Sequence, residues 1–587
     1  MATTAEFRRA ARPLLNEEVS PSEAIVRVLE QAGINLVFGM PGGNMGAVFN
    51  ALYDHRETVR SVLVREEARA GVMAEVYGRL TGRPGVVIAQ GAFLANVTLG
   101  AIEGYLSSSP MLLMGDLSDH APYSAHSPYQ SGAGEYGTWD ARQLFSAITK
   151  QTMVAYNGAH AVQCTELGIK HAMSGQRGPV AVLYHSQSLR GRVGPETRPF
   201  LYGLDSYLPP GGPQADEGAV KEAARVLAAA ERPVIIAGNG VRISQAYEEL
   251  ARLAANLGAG VSTTAGGKGT FAETHELALG VCGNFGTALA NAEIGAADAI
   301  LAVGTKLGVS DFANQNPKLL DPRRQILIQL DVEPRNASWT FPAEIVLIGD
   351  AKAVLAQLIN SVAAQDGLSS SKVSAARSRL QSSRREHGFF DAPELRSDES
   401  PLLPQRAISE VQRAVPNDAI ITCDAGENRI FMTHYFQTKG PGTFLQPSGV
   451  GGMGYAIPAA MAAKLVHRGR KVVAVCGDGG FAIGMNGLMT AVTEDIPITV
   501  VVFNNGALGW VKHGQGDRNI ACDLSNFDHA AIARSMGCDG IRVETPSALG
   551  PVLRQALASD KPCVIDINTS LKETYRRVTS PLAIERV

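Results

Sequence analysis

Asp478 and Asn505 are the residues of this sequence best suited to chemistry. Asp478 sits in Gly477-Asp478-Gly479-Gly480, directly after the apolar run 472–476, and Asn504-Asn505 close a second apolar run, 497–503. Each run has the length and β-branched content of a buried parallel strand. Two such strands side by side bring Asp478 and Asn505 to one edge of a sheet. A carboxylate, an amide oxygen and a nearby backbone carbonyl form a hard, oxygen-only donor set of the kind that holds Mg²⁺ and leaves positions for phosphate oxygens. The segment after the glycines reads as a helix, whose first N–H groups favour a phosphate above the strand end. The glycines admit a close backbone approach, so the spacing reads as a clamp for a divalent metal and a diphosphate.

Such a clamp needs a doubly wound parallel sheet, and the chain is long enough for several. At 587 residues it exceeds one hydrophobic core. The first unit, 19–188, alternates helical stretches with candidate strands at 36–39, 61–64, 85–89, 111–115 and 180–184. A Pro/Gly-rich segment at 208–213 closes it. A second unit, 214–362, repeats the style, a polar, Ser-rich stretch at 363–402 reads as a linker, and a third unit, 403–587, carries the clamp. The expected fold is α/β, with three Rossmann-like doubly wound domains.

Composition narrows the function. A formal net charge of −3 gives no general field for nucleic acid or membrane, and no apolar run is long enough to span a bilayer. The seven cysteines form no CxxC pair, so neither a disulfide framework nor a zinc site is indicated, and a reducing cytoplasm fits best. Arg8, Arg9 and Arg12 precede no signal-type apolar segment.

Gly477-Asp478-Gly479, 24 further residues and then Asn504-Asn505 resembles the signature of thiamine diphosphate enzymes of the acetolactate synthase, pyruvate oxidase and 2-oxo acid decarboxylase type. Three α/β units in this order match the pyrimidine-binding, central and diphosphate-binding domains of that superfamily. The resemblance implies thiamine diphosphate bound through Gly477, Asp478, Gly479, Gly480 and Asn505. Mg²⁺ is then held by Asp478, Asn505 and the Ala507 carbonyl, with two diphosphate oxygens and a water completing an octahedron at about 2.0–2.1 Å. It also implies a Glu beside cofactor N1′ whose proton exchange lets the 4′ nitrogen deprotonate thiazolium C2. Arg65-Glu66-Glu67 stands where the family has His-Glu. Counting eight residues back from Glu75 selects Glu67, with Glu66 the rival. In Ser448-Gly449-Val450-Gly451-Gly452-Met453, the Gly451 carbonyl would accept from the 4′-amino group and Met453 would wedge the two rings together. Glu427 or Asn428, in the segment Asp424-Ala425-Gly426-Glu427-Asn428 that follows the candidate strand 419–423, would reach the diphosphate.

The substrate side departs from the acetolactate synthase pattern. A Gly-Pro-Gly loop becomes Gly91-Ala92-Phe93, and Met-Val-x-Gln-Trp-Gln becomes Trp510-Val511-Lys512-His513-Gly514-Gln515. Phe93, Trp510, His513 and Gly514 are thus the candidate pocket residues, and His513 could relay protons near neutral pH or be a solvated loop histidine. The adjacent-histidine pair of pyruvate decarboxylases is absent, with His120 and His126 standing apart. FAD is a possible further cofactor, through Gly238-Asn239-Gly240 and Gly283-Asn284-Phe285-Gly286, although such glycines also serve ordinary Rossmann-like turns. The expected activity is formation or cleavage of a carbon–carbon bond beside a carbonyl in a 2-oxo acid or related ketone, first as acetolactate-synthase-like carboligation. Decarboxylation or lyase chemistry without carboligation, a catalytically silent cofactor-binding paralogue and a nicotinamide dehydrogenase are the alternatives. A homodimer or homotetramer is expected, because in the resembling family two chains complete each site.

Overall fold

A computed structural model describes residues 12–119, 129–208, 211–309, 311–365 and 369–584. The chain divides into two compact units, Met1–Gly211 and Gly212–Val587. His120 and His126 lie outside the described residues.

The first unit holds one parallel sheet of six strands, β1 (Leu36–Gly39), β2 (Arg60–Leu63), β3 (Gly85–Ala89), β4 (Met111–Asp116), β5 (Gln151–Ala155) and β6 (Pro179–Tyr184). Their order is β2-β1-β3-β4-β6-β5. The five strands read from the sequence coincide with β1–β4 and β6 to within one residue at each end. β5, at the sheet edge, escaped because most of its residues are partly exposed and it carries no continuous apolar run.

The helix Glu67–Thr81 follows β2 and ends where Gly82 turns left-handed, at φ +68°. It is buried on almost all sides. A Cβ on Gly78 would stand 2.2 Å from the Pro110 carbonyl oxygen, and one on Gly100 2.5 Å from the backbone of Gly71, so glycines permit this packing. Within it Glu75 is fully buried and accepts from Arg79 Nε at 2.7 Å and from the hydroxyls of Ser107 and Ser109 at 3.1 and 2.6 Å. Glu75 is thus a structural carboxylate that fixes the helix.

The second unit holds two six-stranded parallel sheets. One comprises β7 (Pro233–Ala237), β8 (Gly260–Thr263), β9 (Ala278–Val281), β10 (Ala299–Val303), β11 (Ile326–Asp331) and β12 (Ile345–Ile348), ordered β12-β11-β10-β7-β8-β9. The other comprises β13 (Ile420–Cys423), β14 (Phe444–Leu445), β15 (Val472–Gly477), β16 (Thr499–Asn504), β17 (Asp539–Val543) and β18 (Cys563–Asn568), ordered β14-β13-β15-β16-β18-β17. The first and third sheets therefore share one topology. Buried Arg242 ties the two sheets of this unit, donating to the carbonyls of Gly266, Lys268 and Phe444 at 3.0, 2.6 and 2.9 Å. The polar stretch 363–402 contains an 18-residue helix, Ser370–His387, capped by Ser369. Only a narrow face with Ala376 and Leu380 is buried, which explains its linker-like composition.

All seven cysteines are buried free thiols. Among the described residues no helix is long and apolar enough to cross a membrane.

Candidate active site

In open parallel sheets a ligand crevice forms at the carboxyl ends of the strands where the winding direction reverses. In the third sheet that point lies between β13 and β15, whose carboxyl ends are followed directly by Asp424 and Asp478. A cavity of about 290 Å³ opens there. Asn428, Gly451, Met453, Gly477, Asp478, Gly479, Gly480, Asn505, Ala507 and Trp510 all line it, so the structure brings together nearly every third-unit residue singled out from the sequence.

Asp478 opens the helix that follows β15. Its Oδ1 accepts from Gly479 N at 2.8 Å, and its Oδ2 accepts from Gly506 N at 2.7 Å and Ala507 N at 3.2 Å. Asn505 Oδ1 accepts from the same Ala507 N at 3.1 Å. The turn at Gly506, φ +69°, thus carries the Asn505 amide oxygen and the Ala507 backbone to the carboxylate. Burial pushes the Asp478 carboxyl above the usual range, opposed by these three amides. An Asp, an Asn and a backbone carbonyl on one small cavity supply oxygen alone and fit a hard cation such as Mg²⁺. Among the described residues no group of three His, Cys, Asp or Glu offers a rival site.

The floor of the cavity hangs on Asp424, whose importance the sequence did not signal. It is 1% exposed and accepts from Ala425 N, Gly454 N and Ala456 N, each at 2.9 Å. Burial, against those donors, pushes its carboxyl up to about 6. A Cβ on Gly480 would lie 2.9 Å from this carboxylate, and one on Gly479 2.9 Å from Met453 Cε. Glycine at both positions lets the Asp478 turn pack on the loop that carries Gly451 and Met453. Asp424→Ala orphans buried N–H groups at roughly 1–3 kcal/mol each. It is expected to lower the unfolding temperature and weaken cofactor uptake together, as differential scanning fluorimetry with and without cofactor would read.

Around the rim the outcome for the candidate pocket residues is mixed. Trp510 lines the cavity, stacked on Tyr575 with centroids 4.1 Å apart and edge-on to Phe285 at 5.9 Å. His513 does not line it. The imidazole stands behind Glu427, with Nδ1 2.8 Å from its Oε1 and Nε2 3.0 Å from the Leu571 carbonyl, so it is not a solvated loop histidine. Gly514 is exposed and outside the cavity wall. Glu427 lines the cavity with its carboxyl already engaged by His513 and by Tyr575 N at 2.7 Å. Asn428 Nδ2 donates to the Asp424 carbonyl at 3.2 Å.

In the first unit the two rival carboxylates separate. Glu66 is the N-cap residue, and its part-exposed side chain accepts from Arg69 Nε and Nη2 at 3.2 and 3.1 Å. Glu67 is the first helical residue, 7% exposed, and its Oε2 accepts from Asn96 Nδ2 at 3.1 Å. Asn96 had no signal in the sequence. Phe93 lies in the short helix Gly91–Leu94 with its ring exposed. A Cβ on Gly91 would meet the Asp116 carbonyl oxygen at 1.8 Å.

In the middle sheet the reversal lies between β7 and β10. A Cβ on Gly238 would meet the Gly304 carbonyl oxygen at 2.3 Å, and one on Gly240 the Gly304 Cα at 2.6 Å. A Cβ on Gly283 would be 1.5 Å from the Asp311 carbonyl oxygen. These glycines are accounted for by backbone packing between turns.

A doubly wound α/β chain with an oxygen-lined crevice at a sheet's switch point is a protein built to bind a phosphate-bearing cofactor. Residues 20–131, 220–358 and 424–567 match, in turn, the N-terminal TPP binding domain, the central domain and the C-terminal TPP binding domain of thiamine pyrophosphate enzymes. The chain is 32% identical over 562 residues to a probable acetolactate synthase large subunit of Methanocaldococcus jannaschii, covering 93% of this chain and 91% of that one. It is 31% identical over 586 residues to the acetolactate synthase large subunit of Corynebacterium glutamicum, covering 96% and 88%. The Haemophilus influenzae large subunit is 27% identical over 569 residues, covering 95% and 96%. The chain belongs to the thiamine pyrophosphate-dependent enzymes and is acetolactate synthase-like.

Proposed function

We propose that this enzyme is a Mg²⁺-dependent carboligase that joins a two-carbon unit from a 2-oxo acid to a second carbonyl compound. The observation that carries this reading is the gathering of Asp478, Asn505, Ala507, Gly451 and Met453 on one cavity. Thiamine diphosphate, when bound, supplies a nucleophilic carbon and an electron sink for the bond beside the carbonyl. Asp478, Asn505 and the Ala507 carbonyl would hold the Mg²⁺ and, through it, the diphosphate. Asn428 and the glycines 477, 479 and 480 border the same cavity. Met453, set against Gly479 in the cavity wall, would shape a bent cofactor, and the Gly451 carbonyl is the acceptor we assign to its amino group. Glu67, buried at a helix N-terminus and oriented by Asn96, would hold and return the proton at N1′.

The acceptor-side wall is this chain's own. Trp510 is pinned between Tyr575 and Phe285, so it offers a fixed aromatic face, and Phe93 is the proposed counterpart in the first unit. Glu67 and the clamp belong to separate units, and we infer a homodimer or homotetramer in which two chains complete each site by an isologous contact. The deciding experiment incubates holoenzyme with a panel of 2-oxo acids and analyses products by mass spectrometry, with light scattering on the same sample. A branched 2-hydroxy-3-oxo acid is the expected product. Carbon dioxide and aldehyde alone would move the assignment to a decarboxylase, and a concentration-independent monomer with bound cofactor would overturn the shared site.

A further inference from the structure

Glu427 poses an electrostatic problem. Among the described residues the charged side chains that line the cofactor cavity are Glu427, Arg429 and Asp478. On the reading above, Asp478 is neutralised by the metal. A second carboxylate in the wall would cancel the attraction that Arg429 offers the diphosphate, and the Glu427 side chain, 5% exposed, is too buried for solvent to screen it. It also lies next to the clamp. A Cβ on Gly509 would fall 2.6 Å from Glu427 Oε2 and 3.3 Å from Asn505 Nδ2, so the carboxylate and the clamp amide flank the same glycine.

The hydrogen bonds of His513 offset this charge. Its Nε2 faces the Leu571 carbonyl at 3.0 Å. A carbonyl only accepts, so Nε2 carries a hydrogen. Nδ1 faces both oxygens of Glu427, at 2.8 and 3.0 Å. If the carboxyl is ionised, Nδ1 must also be protonated and the pair is imidazolium–carboxylate. If Nδ1 is bare, the carboxyl must hold the proton. Either way the pair holds one shared proton and has no net charge. Burial raises the Glu427 carboxyl, opposed by Tyr575 N–H and His513.

We propose that His513 is a positioning residue whose task is to neutralise Glu427, so that an acidic side chain can stand in the diphosphate wall without expelling the cofactor. The inference rests on the cavity being the diphosphate site. It differs from a proton relay to substrate, because His513 is outside the cavity wall and its nitrogens are both committed.

The test is a charge rescue. Thiamine diphosphate, with MgCl₂, is titrated calorimetrically into apo wild type, His513→Gln and the double variant His513→Gln/Glu427→Gln. Like charges brought together cost enough that His513→Gln should weaken binding by about tenfold or more. Removing the stranded charge in the double variant should restore most of that loss. Unchanged affinity in His513→Gln would overturn the proposal. So would a double variant that folds yet binds as weakly as His513→Gln, since His513 would then act through packing. Should His513→Gln fail to fold, the double variant alone decides, with affinity within about tenfold of wild type expected and a greater loss contradictory. A wild-type protein that takes up no thiamine diphosphate would instead overturn the reading of the cavity, a separate result.

Discussion

Glu67→Gln should retain thiamine diphosphate and lose about 10²–10⁴-fold in turnover, the usual scale of general acid–base assistance. Glutamine preserves the size of the side chain and can still meet Asn96, whose amide donates to Glu67 Oε2, but it cannot exchange a proton. The clamp residues lie in the other unit, so their hold on the diphosphate is untouched by the substitution. Glu66→Gln is the control. Its carboxylate is spent on Arg69 and is part-exposed, where such a pair is typically worth 1 kcal/mol or less. The measurement that separates them is hydrogen–deuterium exchange at cofactor C2 in substrate-free holoenzyme. Slow exchange confined to the Glu66 variant would transfer the role to that residue. Normal exchange in both would remove a carboxylate from the mechanism. Slow exchange in Glu67→Gln, whatever 2-oxo acid is supplied afterwards, is the expected result.

The clamp is legible in the sequence because strands buried on both faces, such as β15 and β16, must be continuous apolar runs. Their carboxyl ends are then marked by the polar residues that interrupt them. The edge strands β5 and β17 and the two-residue β14 lack that signature, since their residues are partly exposed or too few. Glu67, the proposed N1′ carboxylate, is picked out in the sequence only through its spacing from Glu75. That spacing is fixed in the fold, because Glu75 is held by Arg79, Ser107 and Ser109 in the core. Asp424 and Asn96 are not legible. Asp-x-Gly after a strand is ordinary turn chemistry, and what distinguishes Asp424 is a pair of amides 30 and 32 residues away. His513 misleads for the same reason. Its closeness in sequence to Asn505 points toward the pocket, whereas its partners, Glu427 and Leu571, come from 86 and 58 residues away and hold it behind the wall.

Asp478→Ala is expected to abolish retention of both Mg²⁺ and thiamine diphosphate, and with it activity. The carboxylate has two tasks. It contributes the one formal negative charge of the proposed metal set, alongside the Asn505 amide oxygen and the Ala507 carbonyl. It also gathers the N–H groups of Gly479, Gly506 and Ala507, so removing it loosens the turn that presents the other two oxygens. The two losses can be separated by linkage. A ligand that binds the folded state alone stabilises it by about 2.7 kcal/mol at a hundredfold excess over its dissociation constant. Wild type heated with MgCl₂ and thiamine diphosphate should therefore unfold at a higher temperature than the apoprotein. Asp478→Ala should start lower, because buried amides are left unpaired, and should gain nothing from either additive. Asp478→Asn isolates the charge, since it restores the side-chain volume and one acceptor oxygen. It should recover part of the apoprotein stability and still show no metal-dependent gain. If exhaustively chelated wild type keeps full activity, or if Asp478→Ala is stabilised by the cofactor as strongly as wild type, the oxygen set at the end of β15 is not the metal site.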